Sequence, residues 1–120
     1  MQPQDFYSNR RASQGVQVDL LDPHGNREWV MVRSVLSPEF AKAVSATFAQ
    51  AIEDGAVEDR AERKRRRRWR NATLTASLIA EWSLPAAINP VELLVANPKL
   101  RRQIERIAED PSVHFGAAHD

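Results

Sequence analysis

The sequence predicts a mostly α-helical fold with a small N-terminal β-hairpin, an α+β arrangement in which the hairpin is followed by about four helical segments. Two observations lead to this prediction. Apolar and polar residues alternate near the start of the chain, which is typical of a strand. Pro follows Ser or Asn at three later positions, which is typical of a helix start. With 120 residues, the chain favours one small domain, which we place at residues 14–110.

The first part of the chain predicts an arm followed by the hairpin. Residues 1–13 are polar, and we interpret them as a flexible arm. From Val16 to Leu20 apolar side chains alternate with polar ones, and residues 22–26 form a turn signal of Asp, Pro, Gly and Asn. Residues 29–35 then contain a second apolar run. Because an isolated hairpin is only marginally stable in water, we expect one of its faces to pack on the helices.

The first long helix is predicted to begin at Ser37-Pro38 and to end near Gly55. Ser caps free backbone N–H groups, Pro suits the first helical position, and Gly often follows a helix end. Four apolar residues recur at every fourth position, which places them on one face of the helix: Phe40, Val44, Phe48 and Ile52. We expect this stripe to belong to the core rather than to an interface.

The positive charge of the chain is concentrated in one segment. Of the 17 Lys and Arg residues, eight lie between Arg60 and Arg70, where the only acid is Glu62. The rest of the sequence is therefore acidic, although the formal net charge is only +1. Residues 63–68 are consecutive bases and would cover every face of a helix. We expect residues 55–68 to be either a polar helix or a charged linker.

The segment after the basic run, residues 69–82, returns to helical periodicity. Leu74, Leu78 and Trp82 are four residues apart, which predicts a helix with one apolar face. Pro85 is expected to end this segment, because Pro disfavours helical geometry in the residue before it.

The C-terminal part of the chain predicts two further helices and a tail. Asn-Pro pairs at residues 89–90 and 97–98 are helix-start signals, and at the first pair Asn89 is expected to be the cap with Pro90 in the first helical position. The second of these helices is expected to end at the Asp-Pro pair of residues 110–111. We interpret residues 111–120 as a C-terminal tail.

Residue types that support catalysis or cofactor binding are scarce. The chain has no Cys, which excludes disulfides and thiolate chemistry, and its three His lack the companions of a zinc site. The four Gly are too dispersed for a phosphate-binding loop. We therefore expect no catalytic site, no metal and no cofactor. The longest apolar stretch is interrupted by Pro and Glu, so we expect no membrane contact either.

Surface apolar and basic residues are the best candidates for function. A small chain with a charged segment in its middle need not bury all its apolar side chains, so some are expected to bind a partner or a second copy. The basic run fits an acidic protein or a nucleic acid. The hypothetical partner-binding residues are Trp69, Leu78, Trp82, Leu93 and Leu94, together with Arg63, Lys64, Arg65, Arg66, Arg67 and Arg68.

The C-terminal half also resembles a known family. Residues 76–84 read ASLIAEWSL, and NPVELLVANPKLRRQIERIAED follows after a short spacer. This arrangement is similar to the tail assembly chaperones of long-tailed bacteriophages. The N-terminal half is similar more loosely, through a D-x-x-G turn and a Ser-x-x-Phe helix start, so the resemblance spans about residues 16–115. The matching C-terminal residues are Ile79, Trp82, Leu84, Val91, Leu94, Asn97, Pro98, Leu100, Ile104, Ala108, Asp110 and Phe115.

The resemblance implies a binding protein rather than an enzyme. Chaperones of this family bind the tape measure protein, which is long, helical and apolar, and keep it soluble until tail tube protein assembles around it. A longer product made by ribosomal frameshifting often recruits the tube protein. The implied location is the host cytoplasm, and the chain is not expected in the mature virion.

Two alternatives to the chaperone hypothesis remain open. A small nucleic-acid-binding protein would act through the basic run at residues 60–70, and its affinity for DNA would depend steeply on salt. A regulatory partner protein, such as a toxin–antitoxin component, is the other alternative. Within the chaperone hypothesis, the basic run is expected to contact acidic stretches of the tape measure protein.

Overall fold

A computed structural model describes residues 10–21, 25 and 27–115. Within these residues the chain forms six helices and one three-stranded antiparallel sheet, which confirms the mostly α fold with a small β part. The elements in chain order are α1 (residues 10–14), β1 (Val16–Leu21), β2 (Arg27–Val32), α2 (Pro38–Gly55), α3 (Arg60–Ala76), β3 (Ile79–Trp82), α4 (Pro90–Ala96), α5 (Pro98–Glu109) and α6 (Pro111–Phe115).

The predicted hairpin is present, and it is joined by a third strand. β1 pairs with β2 in antiparallel register from Val16 opposite Val32 onward. Of the predicted turn, Gly25 is described, and the other four positions lie outside the described residues. β3 pairs with the second edge of β2, with Trp82 opposite Val30. Val30 and Val32 are fully buried, so the middle strand anchors the sheet on the helices.

The prediction of a helix over residues 69–82 was wrong for its last six residues. The helix ends at Ala76, and residues 79–82 form β3. Ile79 and Trp82 are residue types that fit a pleated, half-buried surface. Pairing with β2 satisfies backbone groups along an edge that a two-stranded hairpin would leave open. A non-local contact therefore outweighs the four-residue periodicity of the local sequence.

The basic segment is helical rather than a linker. α3 begins at Arg60, and the Asp59 carboxylate caps it by accepting a hydrogen bond from the Ala61 N–H at 3.0 Å. The helix then continues without interruption to Ala76. All the consecutive bases therefore lie on one rigid element, whose C-terminal half reaches the core through Ala72 and is anchored there.

The two ends of the described chain also differ from the expected arm and tail. Residues 1–9 and 116–120 lie outside the described residues, but residues 10–14 are helical and Ala12 is buried. At the other end, α6 buries His114, whose Nε2 lies 3.1 Å from the Ile107 carbonyl oxygen. Burial lowers the pKa of His114, because desolvation disfavours the imidazolium form. His114 is thus a packing residue, not part of a loose tail.

The core lies between the sheet and the helices α3, α4 and α5. One cluster of buried side chains spans all these elements: Val30, Val32, Ala72, Leu78, Leu94, Ile104 and Ala108. The N-terminal end of α2 reaches this cluster through the half-buried Phe40, and the later turns of α2 do not.

Arg33, directly after β2, joins several elements through hydrogen bonds. Its backbone N–H donates to the Leu78 carbonyl at 2.6 Å. Its guanidinium donates to the carbonyls of Ser77 at 3.0 Å, Ile79 at 3.1 Å and Ser13 at 3.1 Å. One side chain therefore satisfies carbonyl oxygens at the end of α1, after α3 and at the start of β3.

Gly15, between α1 and β1, provides a test of this packing. Its φ is +79°, and a Cβ at this position would lie 2.7 Å from the Val32 carbonyl oxygen. We expect Gly15→Ala to lower the free energy of unfolding by at least about 2 kcal/mol, from backbone strain and from the clash. Urea unfolding measures the loss. Gly25→Ala is the matched control: its φ is +80°, and a Cβ there would meet no atom of the described residues within 4 Å. We expect this control to lose about 1 kcal/mol of unfolding free energy. Equal losses would contradict the clash.

Candidate partner-binding surface

Helix α2 turns its small side chains toward α3 and its large apolar side chains toward solvent. Beyond Phe40, the buried or half-buried positions of α2 are Ala43, Thr47, Ala51 and Asp54. These positions recur at helical spacing, and small residues allow the two helices to approach closely. The face that packs on α3 is therefore not the face that carries the apolar stripe.

The apolar stripe of α2 is exposed, so the prediction that it belongs to the core was wrong beyond Phe40. Val44 is 43% exposed, Phe48 68% and Ile52 65%. They lie one helical turn apart and form a continuous ridge, which we call the apolar stripe (Val44, Phe48 and Ile52). Single exposed apolar residues are common on soluble proteins, but a row of three on one helix face is a candidate binding surface.

A buried carboxylate fixes the orientation of α2. Asp54 is 3% exposed and accepts hydrogen bonds from Gln50 at 2.9 Å and from Arg66 at 3.2 Å. The Arg70 guanidinium lies 3.3 Å from its second oxygen. The Gln50 hydrogen bond, and then the two guanidinium groups, lower the pKa of Asp54, although burial opposes them. The last turn of α2 is thereby held against the middle of α3.

The bases of α3 other than Arg68 divide into two groups. Three of them have intramolecular acid partners: Arg65 and Arg66 pair with Glu62, while Arg66 and Arg70 pair with Asp54. A second group has no acid partner among the described residues and follows one face of the helix: Arg60, Arg63, Lys64 and Arg67. We call this second group the basic stripe.

An open cleft separates the basic stripe from the last turn of α2. Its volume is about 460 Å³, and its lining consists of the basic stripe, Arg70, Asp54, Ala51 and Gly55. The only carboxylate in the lining is Asp54, which Arg66 and Arg70 already neutralise. The cleft is therefore strongly positive, and it suits an anionic group.

The apolar residues expected to bind a partner fall into three classes of exposure. Trp69 is 49% exposed and lies on α3 outside the cleft lining. Trp82 and Leu93 are half-buried. Leu78 and Leu94 are each 1% exposed, because they fill the core beneath β2 and α3. Those two leucines were wrongly assigned to the surface.

Neither the role of Asp54 nor the exposure of the apolar stripe was predicted from the sequence. The signal for Asp54 was weak, since an acid near a helix end is usually solvated surface. Bases 12 and 16 positions later in the chain are its partners, and only the crossing of α2 with α3 brings them together.

Other features of the described residues do not indicate chemistry. A second cleft of about 310 Å³ lies between α3 and α5. Three of its polar side chains pair with one another, since Glu105 accepts hydrogen bonds from Thr75 at 2.9 Å and Arg101 at 2.6 Å. No group of three potential metal-ligating side chains occurs in the described part of the chain. No helix among those residues is long and apolar enough to cross a membrane.

Comparison of the chain with models of protein families, with curated proteins and with solved structures gives no match.

Neutralising Asp54 tests its role in holding α2. We expect Asp54→Asn to unfold at lower urea concentration than the wild type at pH 7, because Arg66 and Arg70 lose their shared anion. A lowered carboxyl pKa stabilises the fold above the unfolded-state value and stops doing so as pH falls through the folded-state value. The difference between the two proteins should therefore shrink once the pH is well below the ordinary Asp range.

Glu53→Gln is the matched control for this experiment. It removes the same charge from the adjacent, exposed position of α2, which has no ion pair with a described residue. We expect its unfolding curve to follow that of the wild type. Equal effects of the two substitutions at pH 7, or a difference that is independent of pH, would show that Asp54 does not hold α2.

Proposed function

We propose that this chain is a phage tail assembly chaperone, which binds the tape measure protein and keeps it soluble during tail morphogenesis. Two things support the proposal. The first is the sequence resemblance over about residues 16–115. The second, on which the proposal mainly rests, is the exposed apolar stripe of α2, where Phe48 is 68% exposed and Ile52 65%.

A helical partner would remove the apolar stripe from water. Large apolar side chains at successive turns are the pattern by which one amphipathic helix recognises another. Burying a side chain such as Phe or Ile stabilises a complex by roughly 1.5–3 kcal/mol before the costs of association are subtracted. A long, apolar helical protein would likewise be shielded from aggregation along the covered face. The role is binding, and it needs no catalytic group.

The resemblance adds details to the same proposal. A frameshifted longer product would recruit tail tube protein, the chaperone would act in the host cytoplasm, and it would be absent from the mature virion. Pairing of two copies through α2 is also compatible with an exposed apolar stripe, because a helix face of this kind can be self-complementary.

A nucleic-acid-binding protein is the second candidate function. The observation that favours it is the basic stripe, whose four side chains have no acid partner among the described residues. Phosphate groups would neutralise them, and the affinity would fall steeply with salt. The apolar stripe has no role in that function, which is why we prefer the chaperone proposal.

Co-expression with the tape measure protein of the same phage tests the proposal. We expect the two proteins to co-purify at moderate salt and the tape measure protein to remain soluble. Replacing Phe48 and Ile52 together by Ser should reduce the recovered complex at least about tenfold, because two apolar anchors are lost. As surface substitutions they should change stability by only about 0.5 kcal/mol each, which thermal unfolding can verify.

Val113→Ser is the matched control, since Val113 is 41% exposed on α6, far from α2 in sequence. It should leave co-purification unchanged. Failure of the wild-type chain to bind the tape measure protein, together with a strongly salt-dependent shift of DNA, would contradict the chaperone proposal and favour the second candidate.

A further inference from the structure

The apolar stripe and the open cleft beside the basic stripe form one continuous surface. Ala51 and Gly55 line the cleft. Ala51 is three residues after Phe48, and Gly55 is three residues after Ile52, so the edge of the face that packs on α3 borders the face that carries the apolar stripe. The apolar stripe therefore ends at the rim of the cleft, and a partner that covers Phe48 and Ile52 would extend to the basic stripe.

We propose that the surface takes an acidic amphipathic helix: a partner segment with apolar residues on one face and Asp or Glu residues alongside them. The apolar face would cover the apolar stripe, and the carboxylates would enter the cleft. The inference rests on the proposed function and deepens it, because it states which kind of segment of the tape measure protein the chaperone selects.

Charge complementarity supports an anionic occupant. Arg60, Arg63, Lys64 and Arg67 have no acid partner among the described residues, so the cleft presents four cations to a ligand. Its one carboxylate, Asp54, is 3% exposed and is already paired. Charged rims of this kind contribute to the selection of a partner and to the rate of association more than to total affinity.

The apolar stripe beside the cleft favours a helical partner over a nucleic acid. Arg60 to Arg67 spans about 10 Å, which is two turns of helix and matches carboxylates placed one turn apart on a partner. An apolar ridge of Val44, Phe48 and Ile52 meets the cleft, whereas single-stranded nucleic acids are usually bound on a row of aromatic side chains. Trp69, the exposed aromatic residue of α3, lies outside the cleft lining.

The test compares two synthetic peptides of about 20 residues, a length that supports helix formation. Both carry Leu at every fourth position; one carries Glu beside the Leu stripe and the other carries Gln at the same places. Fluorescence anisotropy measures the binding of each labelled peptide to the full chain. At low salt, we expect the Glu peptide to bind roughly fivefold to tenfold more tightly than the Gln peptide. High salt should remove most of this difference.

Substitutions in the chain test whether the cleft causes the preference for the Glu peptide. Arg63→Gln with Arg67→Gln should abolish the preference for the Glu peptide. Arg65→Gln with Arg68→Gln removes the same charge from α3 at positions outside the cleft lining, so the preference should persist. Circular dichroism verifies that both double variants keep the helical content of the wild type.

The outcomes separate this inference from the proposed function. Equal binding of the two peptides, with the tape measure protein still captured by the Arg63→Gln, Arg67→Gln chain, would overturn the acidic partner and leave the chaperone function intact. Loss of preference in both double variants alike would show that the cleft is not the site. Binding of duplex DNA through Arg63 and Arg67, with neither peptide bound and no tape measure capture, would overturn both proposals.

Discussion

A buried carboxylate determines the geometry on which the candidate surface depends. Asp54 is 3% exposed and contacts Arg66 and Arg70 of α3. A buried charge is costly unless it is paired, so α2 cannot rotate about its axis without separating Asp54 from its partners. That constraint keeps the small side chains of α2 against α3 and leaves Phe48 and Ile52 in solvent. The same constraint aligns the last turn of α2 with the bases of α3 across the cleft.

The core is complete without the later turns of α2. The apolar side chains of those turns are therefore exposed to solvent, where a partner can contact them. The three-stranded sheet packs on α3, α4 and α5, and α2 contributes to that core only through Phe40. Arg33 closes the junction between the sheet and the end of α3 by satisfying carbonyl oxygens there. The helical pair of α2 and α3 therefore carries two features that the fold does not use, an apolar stripe and a basic stripe, and both are open to a partner.

Local patterns in the sequence predict much of the fold but little of the surface. Alternation predicted the hairpin, capping residues predicted the starts of α2 and α4, and the Asn97-Pro98 pair predicted the start of α5, because these signals act over a few residues. The strand at Ile79–Trp82 was missed, since its pairing with β2 is non-local. The four-residue spacing of Phe40, Val44, Phe48 and Ile52 correctly gave one helix face. This spacing could not show that α3 packs against a different face of α2. The ion pairs of Asp54 with Arg66 and Arg70, which are distant in sequence, determine which face that is.

Photo-cross-linking from α2 tests most directly whether the apolar stripe binds the partner. A photoreactive phenylalanine analogue would replace Phe48 in one chain and Val113 in another, each co-expressed with the tape measure protein. Irradiation followed by electrophoresis detects covalent adducts. We expect an adduct with the tape measure protein from position 48 and none from position 113. A complex that forms but gives no adduct from position 48, or gives equal adducts from both positions, would contradict the assignment of the binding surface to α2.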